Sequence, residues 1–190
     1  MLVNVASNVL SAGREAGRFG NGHPSIVPYT TYTTADGMMA LAVGNDTQFA
    51  KCAAVLGHPE WAGDPLFTKN RDRVANRDLV DGMIGEALAK DATGAWIVKL
   101  QAVGVPCGPI NTVSQAFADP HTAARRMTET VEHATIGGLS MIGIPFKFSD
   151  TPAAVKRPPP TLGQHTDEVL KNDLRLDERS IDALRAQKVI

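Results

Sequence analysis

A chain of 190 residues holds one domain, or one and part of another. With 43% hydrophobic and 21% charged residues it can bury a core, and 17 glycines with 12 prolines are too few for a low-complexity or collagen-like chain. Nineteen basic residues against twenty acidic leave a net charge of −1, no footprint for nucleic acid or an anionic membrane. Two cysteines, Cys52 and Cys107, lack C-x-x-C spacing and are too few for a disulfide scaffold, so the chain reads as cytoplasmic and reduced.

Met1–Leu10 is apolar, without the basic start of a signal peptide and too short for a membrane span. Its helical periodicity begins at once, with no capping residue, as if the helix were entered partway and something upstream had been lost. Residues 1–12 are expected to be helical, ending near Gly13 or Gly17, and Arg18–Pro28 is a turn-rich connector. Tyr29–Thr34 and Met38–Val43 flank Ala35-Asp36-Gly37, a hairpin signal in which the glycine can take positive φ. Asn45 or Asp46 should cap a helix to Leu56, with Phe49, Cys52, Ala53 and Leu56 inward and Gly57 as its stop. Asn45-Asp46-Thr47 has the form of a glycosylation sequon, a chance match in a chain with no secretory signal.

His58–Thr68 reads as a turn region anchored by Trp61, Leu66 and Phe67. Asn76 is the expected N-cap of a helix over Arg77–Ala89 with an inward stripe of Leu79, Met83, Ile84, Ala87 and Leu88. Thr93 opens a helix with Trp96, Ile97 and Leu100 inward, ended by Gly104. Val105–Ile110, with two prolines and a glycine, is a rigid extended loop. A short helix over Thr112–Ala118 follows, then Asp119-Pro120 caps another through Arg126. Met127–His133 and Leu139–Phe148 are expected to be extended around Gly137-Gly138, and Ser149–Leu162 is a stiff surface segment of polyproline character. Helices over Thr166–Lys171 and Asp177–Ala186 and an apolar tail complete the chain. A helix–hairpin–helices module thus occupies 21–126 and a β-then-α tail 127–190.

Chemistry is scarce. The chain has no phosphate loop, no H-E-x-x-H and no G-x-S-x-G, and Gly20-x-Gly22 lacks the third glycine of a dinucleotide fingerprint. Five histidines show no metal-ligand spacing, so no metal is expected. Cys107 reads as a structural thiol, because nothing nearby in sequence would lower its pKa. His23 either faces a cleft or bonds its own turn. His165 is expected to satisfy backbone groups, and turn geometry alone accounts for Asp36. No residue stands out as catalytic.

Six awkward segments in register nevertheless carry a resemblance over nearly the whole chain. They are Arg18-Phe19-Gly20-Asn21-Gly22-His23-Pro24, Thr34-Ala35-Asp36-Gly37, Leu41-Ala42-Val43-Gly44-Asn45-Asp46, Gly104-Val105-Pro106-Cys107-Gly108-Pro109, Ile144-Pro145-Phe146-Lys147-Phe148-Ser149 and Leu162-Gly163-Gln164-His165-Thr166-Asp167-Glu168-Val169-Leu170. Together they resemble the carboxy-terminal part of the class III coenzyme A transferases, the CaiB/BaiF family, which includes formyl-CoA and carnitine-CoA transferases and α-methylacyl-CoA racemases.

The resemblance implies an α+β fold: a small domain with a short antiparallel sheet and packed helices, followed by the segment that returns to the family's large Rossmann-like domain. On that pattern 1–20 is the end of a linker helix and its connector, 21–126 the small domain and 127–190 the return segment. The family's members are about twice this length and interlock as dimers, and their nucleophilic aspartate lies in the amino-terminal half. The implied function is therefore part of an enzyme moving CoA between an acyl-CoA and a carboxylic acid, inactive alone, with no tightly bound cofactor and with a CoA thioester as substrate. The alternatives are part of an acyl-CoA racemase and a non-catalytic protein-interaction module. The glycine-rich loop that folds over the active site in formyl-CoA transferases aligns with Gly20, Asn21, Gly22 and His23, the implied substrate-binding residues.

Overall fold

The Asp-Gly hairpin forms where the sequence places it. In the computed structural model, which describes residues 3–190, β1 (Tyr29–Thr33) pairs antiparallel with β2 (Met38–Ala42), Thr33 facing Met38. The reversal is closed by the Thr34 N–H donating to the Gly37 carbonyl at 2.9 Å. Gly37 is not among the positive-φ glycines, so the expected mirror-image turn is not used. The Asp36 carboxylate shapes this corner instead: Oδ1 accepts the Thr93 N–H at 2.7 Å and the Thr93 hydroxyl at 2.8 Å. Asp36 thus caps the helix that begins at Thr93, a tertiary role beyond the turn geometry expected of it. Those bonds, the Thr93 N–H foremost, hold its carboxyl below the usual carboxylate range.

Helix α1 (Val3–Ala12) precedes the hairpin and ends at Gly13, whose φ is +62°; the first two residues of the expected helix, Met1 and Leu2, lie outside the described residues. After the hairpin, α2 (Asp46–Val55) is capped by the Asn45 side chain, which accepts the Gln48 N–H at 2.9 Å, and Gly57 stops the helix at φ +87°. A 3₁₀ turn at Pro59–Gly63 leads to α3 (Asn70–Ala75), a helix in a stretch to which the sequence pattern assigns no element. Helices α4 (Arg77–Leu88) and α5 (Thr93–Ala102) follow. Asn76 does not cap α4 with its side chain; its amide turns back to donate to the carbonyls of Asp72 and Leu66. The inward stripe of α4 is rotated from expectation, with Val80 buried and Leu79 half exposed. Val105–Ile110 is extended as expected but paired: Cys107–Pro109 forms β3, antiparallel to β2, giving the order β1-β2-β3. A backbone already confined by two prolines needs little further ordering to serve as an edge strand.

One side of this sheet and the helices bury a single core that includes Met39, Leu41, Phe49, Ile84, Leu88 and Leu100. Tyr32 reaches from β1 to α4, its hydroxyl donating to Asp81 Oδ1 at 2.5 Å, and burial followed by the carboxylate pushes the phenol pKa upward. Trp96 donates its indole N–H to the Leu88 carbonyl at 2.8 Å, joining α5 to the end of α4.

The chain divides into two compact units, the first ending at Ile110 and the second running Asn111–Ile190. The second contains α6 (Val113–Ala118), α7 (Pro120–Ala124), a hairpin of β4 (Thr128–His133) with β5 (Gly137–Ile142), α8 (Thr166–Asn172) and α9 (Glu178–Ala186). Thr112 and Gln115 form a reciprocal capping box on α6, and Asp119 caps α7. Three expectations fail here. Gly137 and Gly138 open β5 and do not separate the strands, and β5 stops at Ile142, leaving Phe146 and Phe148 outside any strand and more than half exposed. His165 pairs its ring with the Glu168 carboxylate at 2.9 Å in place of backbone groups.

The first unit is built around a charge. Arg73 of α3 is fully buried, donating Nε to the Val27 carbonyl at 2.8 Å, Nη1 to Phe67 at 2.7 Å and Nη2 to Asp46 Oδ1 at 2.9 Å. Its guanidinium also lies 4.4 Å from the Phe49 ring centroid. Desolvation pushes the Asp46 carboxyl up, but the Arg73 bond and charge, the Asn70 N–H and Lys69 together hold its pKa below the ordinary value.

Arg73→Ala strands a partner charge and leaves buried carbonyls without a donor, so it should cost about 3–5 kcal/mol in urea unfolding. Asp46→Asn should cost less at pH 7, because Asp46 is partly solvated. A carboxyl with a lowered folded-state pKa stabilises above its unfolded pKa. The gap between Asp46→Asn and the parent should therefore begin to close below about pH 4 and vanish once the lowered pKa is passed. In the second unit, Gly143 donates its N–H to the Met127 carbonyl at 2.8 Å, and a Cβ there would overlap the Arg126 carbonyl oxygen. Gly143→Ala should destabilise the β4–β5 hairpin by about 1–3 kcal/mol, read as faster amide exchange in both strands.

Candidate functional site

The connector that the sequence marks as suspicious is a short, firmly held turn. Gly20 sits at φ +57° with nothing within 4 Å of where a Cβ would point, and the Gly22 N–H donates to the Phe19 carbonyl at 2.8 Å. The Asn21 amide donates to the Thr31 hydroxyl at 3.2 Å, tying the turn to β1. His23 donates its N–H to the Tyr29 carbonyl at 2.9 Å, stacks its ring on Tyr29 at 5.3 Å, and accepts the Ser25 N–H at Nδ1. Of the two readings of His23, the bond to its own turn is the one made. Gly20, Asn21, Gly22 and His23 are therefore brought together, and only a small group at position 22 fits between the Phe19 carbonyl at 3.1 Å and the Arg77 guanidinium at 3.6 Å.

Arg77, the first residue of α4, holds this turn from beneath. Its Nη2 donates to the carbonyls of His23 at 2.9 Å and Pro24 at 3.1 Å, and its guanidinium stands 5.5 Å from the Phe19 ring centroid. Asn70 holds the next stretch, donating to the Ser25 carbonyl at 2.9 Å and accepting the Val27 N–H at 3.2 Å. With Arg73 on the Val27 carbonyl, three side chains of the Asn70–Arg77 stretch fix the connector from His23 to Val27. A signal for one of them exists in the sequence: Arg73 has no acidic residue three or four positions away to pair with on a helix surface.

Beside the connector lies a cleft of about 530 Å3 between α1, residues 14–19 and α3. Pro24 and Ser25 line one side, Phe19, Val5 and Val74 supply apolar surface, and Arg14, Arg71 and Glu15 supply charge. Cys107 and Cys52 take no part in it; burial raises both thiol pKa values, Cys52 to about 12. Among the described residues there is no group of three or more His, Cys, Asp or Glu side chains able to hold a metal ion, and no helix long and apolar enough to cross a membrane. The site offers a rigid backbone turn and a charged cleft, an arrangement able to position a ligand; among its described residues no nucleophile is paired with a base.

Comparison with known proteins gives this site a context. A family model described as CoA-transferase family III matches residues 1–166. The human succinyl-CoA:glutarate CoA-transferase is 36% identical over 189 residues, all of this chain but 43% of that protein. The succinate–glutarate CoA-transferase of Agrobacterium fabrum is 36% identical over 170 residues, 90% of this chain and 42% of that protein. Among solved structures, a CAIB/BAIF family protein from Brucella suis superposes with a TM-score of 0.76 at 36% identity, covering 93% of this chain and 45% of that one. The chain thus spans less than half the length of the curated relatives it matches.

Because Arg77 bonds only to connector carbonyls and an aromatic face, Arg77→Met should raise the exchange rates of the residue 20–25 amides at least tenfold and leave those of the core helices α4 and α5 within twofold.

Proposed function

The chain belongs to CoA-transferase family III, and from that membership we propose that it supplies the carboxy-terminal part of an enzyme moving coenzyme A between an acyl-CoA and a carboxylic acid. The observation that carries this is the coverage: the human relative matches this chain end to end and has more than half its own length besides. Both relatives described above carry succinate and glutarate in their names, so the acids are short dicarboxylic acids and the reading is transferase, ahead of racemase.

On this reading residues 1–20 end the linker, 21–126 form the small domain and 127–190 return to the large one. Gly20, Asn21, Gly22 and His23 wall the acyl side of the site, where a turn with little side-chain bulk brings backbone close to the acyl group. The nucleophilic carboxylate stands in the other part of the enzyme. It attacks the thioester carbonyl to give a mixed anhydride and CoA thiolate; the thiolate attacks the enzyme-side carbonyl, expelling the donor acid and leaving an enzyme thioester. The acceptor carboxylate displaces the thiolate to form a second anhydride, and thiolate attack on its acyl side gives the new acyl-CoA and frees the enzyme carboxylate. This chain's residues bind and orient. The CoA thioester is a substrate and no resident cofactor is needed. The enzyme is cytoplasmic and an interlocked dimer; two free cysteines support the first, and the exposed Ile142, Phe146, Phe148 and Leu162 of the second unit, apolar surface awaiting a partner, support the second.

The test is a chimera. Alone, the 190 residues should form no glutaryl-CoA from succinyl-CoA and glutarate. Fused behind the part of the Agrobacterium fabrum enzyme that precedes its matched region, they should restore turnover. A folded chimera without turnover, or turnover by the isolated chain that is lost on a substitution within it, would contradict the proposal.

A further inference from the structure

The cleft beside the connector has the composition of a carboxylate site more than of a hydrophobic crevice. Its size falls in the range of small-molecule sites. Its charged lining residues are two arginines against one glutamate, so a bound anion meets net positive charge. Arg71 is presented there by α3, which is anchored from within by the neighbouring Arg73 and Asn70. Its Nε donates to Asp72 Oδ1 at 3.2 Å, and its terminal nitrogens have no bonded partner among the described residues. A guanidinium oriented through Nε and open at its two Nη groups is the fork that takes a carboxylate in two parallel bonds. Apolar groups of Phe19, Val5 and Val74 line the same cleft, as a short methylene chain requires. The connector carbonyls of His23, Pro24, Ser25 and Val27 are engaged by Arg77, Asn70 and Arg73, so this side of the cleft is fixed before any ligand arrives.

We propose that this cleft takes the free, non-reacting carboxylate of a short dicarboxylic acid or its CoA thioester, with Arg71 as the principal contact and Arg14 as the second. The assignment rests on the transferase reading above and deepens it, making Arg71 the residue that separates dicarboxylic from monocarboxylic acids. A monocarboxylic acid of the same length places a methyl group where Arg71 expects an anion and forfeits both charge-assisted bonds.

The measurement is a titration of the isotope-labelled 190-residue chain with glutarate, and separately with glutaramide, its neutral diamide of the same length, at low ionic strength, following the backbone amides. Glutarate should bind in the millimolar range and shift the amides of Ser25, Asn70, Arg71 and Val74, and glutaramide should bind at least tenfold more weakly. Arg71→Gln should weaken glutarate at least tenfold and leave glutaramide within twofold; Arg71→Lys should recover part of the loss and Arg14→Gln should cost less than Arg71→Gln. Arg71 is exposed, so these variants stay folded, and the amide spectrum itself reports that. No glutarate binding, equal binding of the two ligands, or glutarate binding indifferent to Arg71→Gln would each overturn the assignment. The chimera's turnover is scored separately, so a failed cleft with an active chimera removes this inference and leaves the transferase reading standing.

Discussion

Arg73 is the constraint on which the first unit depends. A guanidinium cannot shed its charge, so burying it demands a partner for each nitrogen, and the chain supplies them from distant places: Val27 before the sheet, Asp46 at the start of α2, Phe67 in the turn ahead of α3. Asp46 also accepts the Asn70 N–H at 2.9 Å, so one carboxylate serves the start of α2, the start of α3 and the buried cation together. Apolar burial is non-directional, whereas this set of bonds fixes the relative placement of the three segments it joins. Here the ion pair acts as a fixer of register as much as a source of stability.

From that anchor the route to the candidate site is short. Val27 closes the connector and enters β1, so holding its carbonyl sets where the Gly20–His23 turn emerges, and Arg77, one helical turn beyond Arg73, holds the turn itself. At the far end of the hairpin Asp36 caps α5 and binds the sheet to the helices. The hairpin is thus clamped at both ends by side chains from the helical layer. A turn carried on such a hairpin is preformed, and under the proposed function it is the wall that orients a substrate for the rest of the enzyme.

How much of this the sequence discloses follows the range of the forces involved. Local signals are readable: the caps Asn45 and Asp119, the stops at Gly57 and Gly104, the Asp-Gly reversal and the helical stripes of α2 and α5. The signals that mislead depend on partners far along the chain. Asp36 looks like a turn residue until Thr93 is beside it, Cys107–Pro109 looks like a loop until β2 offers a ladder, and α3 is hidden because its key side chain is an arginine facing inward, where periodicity rules expect an apolar group. Leu79 and Val80 exchange roles in α4 because that helix answers to the sheet and to Tyr32 as well as to its own period. The candidate turn is legible as glycine-rich and, through its resemblance, as a candidate substrate-binding loop; Asn70, Arg73 and Arg77 hold it through tertiary contacts that local pattern does not show.

The Arg73 network is expected to open and close with the core as one cooperative unit. Native-state hydrogen exchange at pH 7 reads this directly through two amides that donate to it or beside it, Val27 to Asn70 Oδ1 and Asn70 to Asp46 Oδ1. If the network holds the first unit together, both amides should open with the same free energy and denaturant dependence as those of Ile84 and Leu100 in the core. Exchange of Val27 and Asn70 at the rate of exposed loop amides, with Ile84 and Leu100 still fully protected, would show that the core stands without the buried charge.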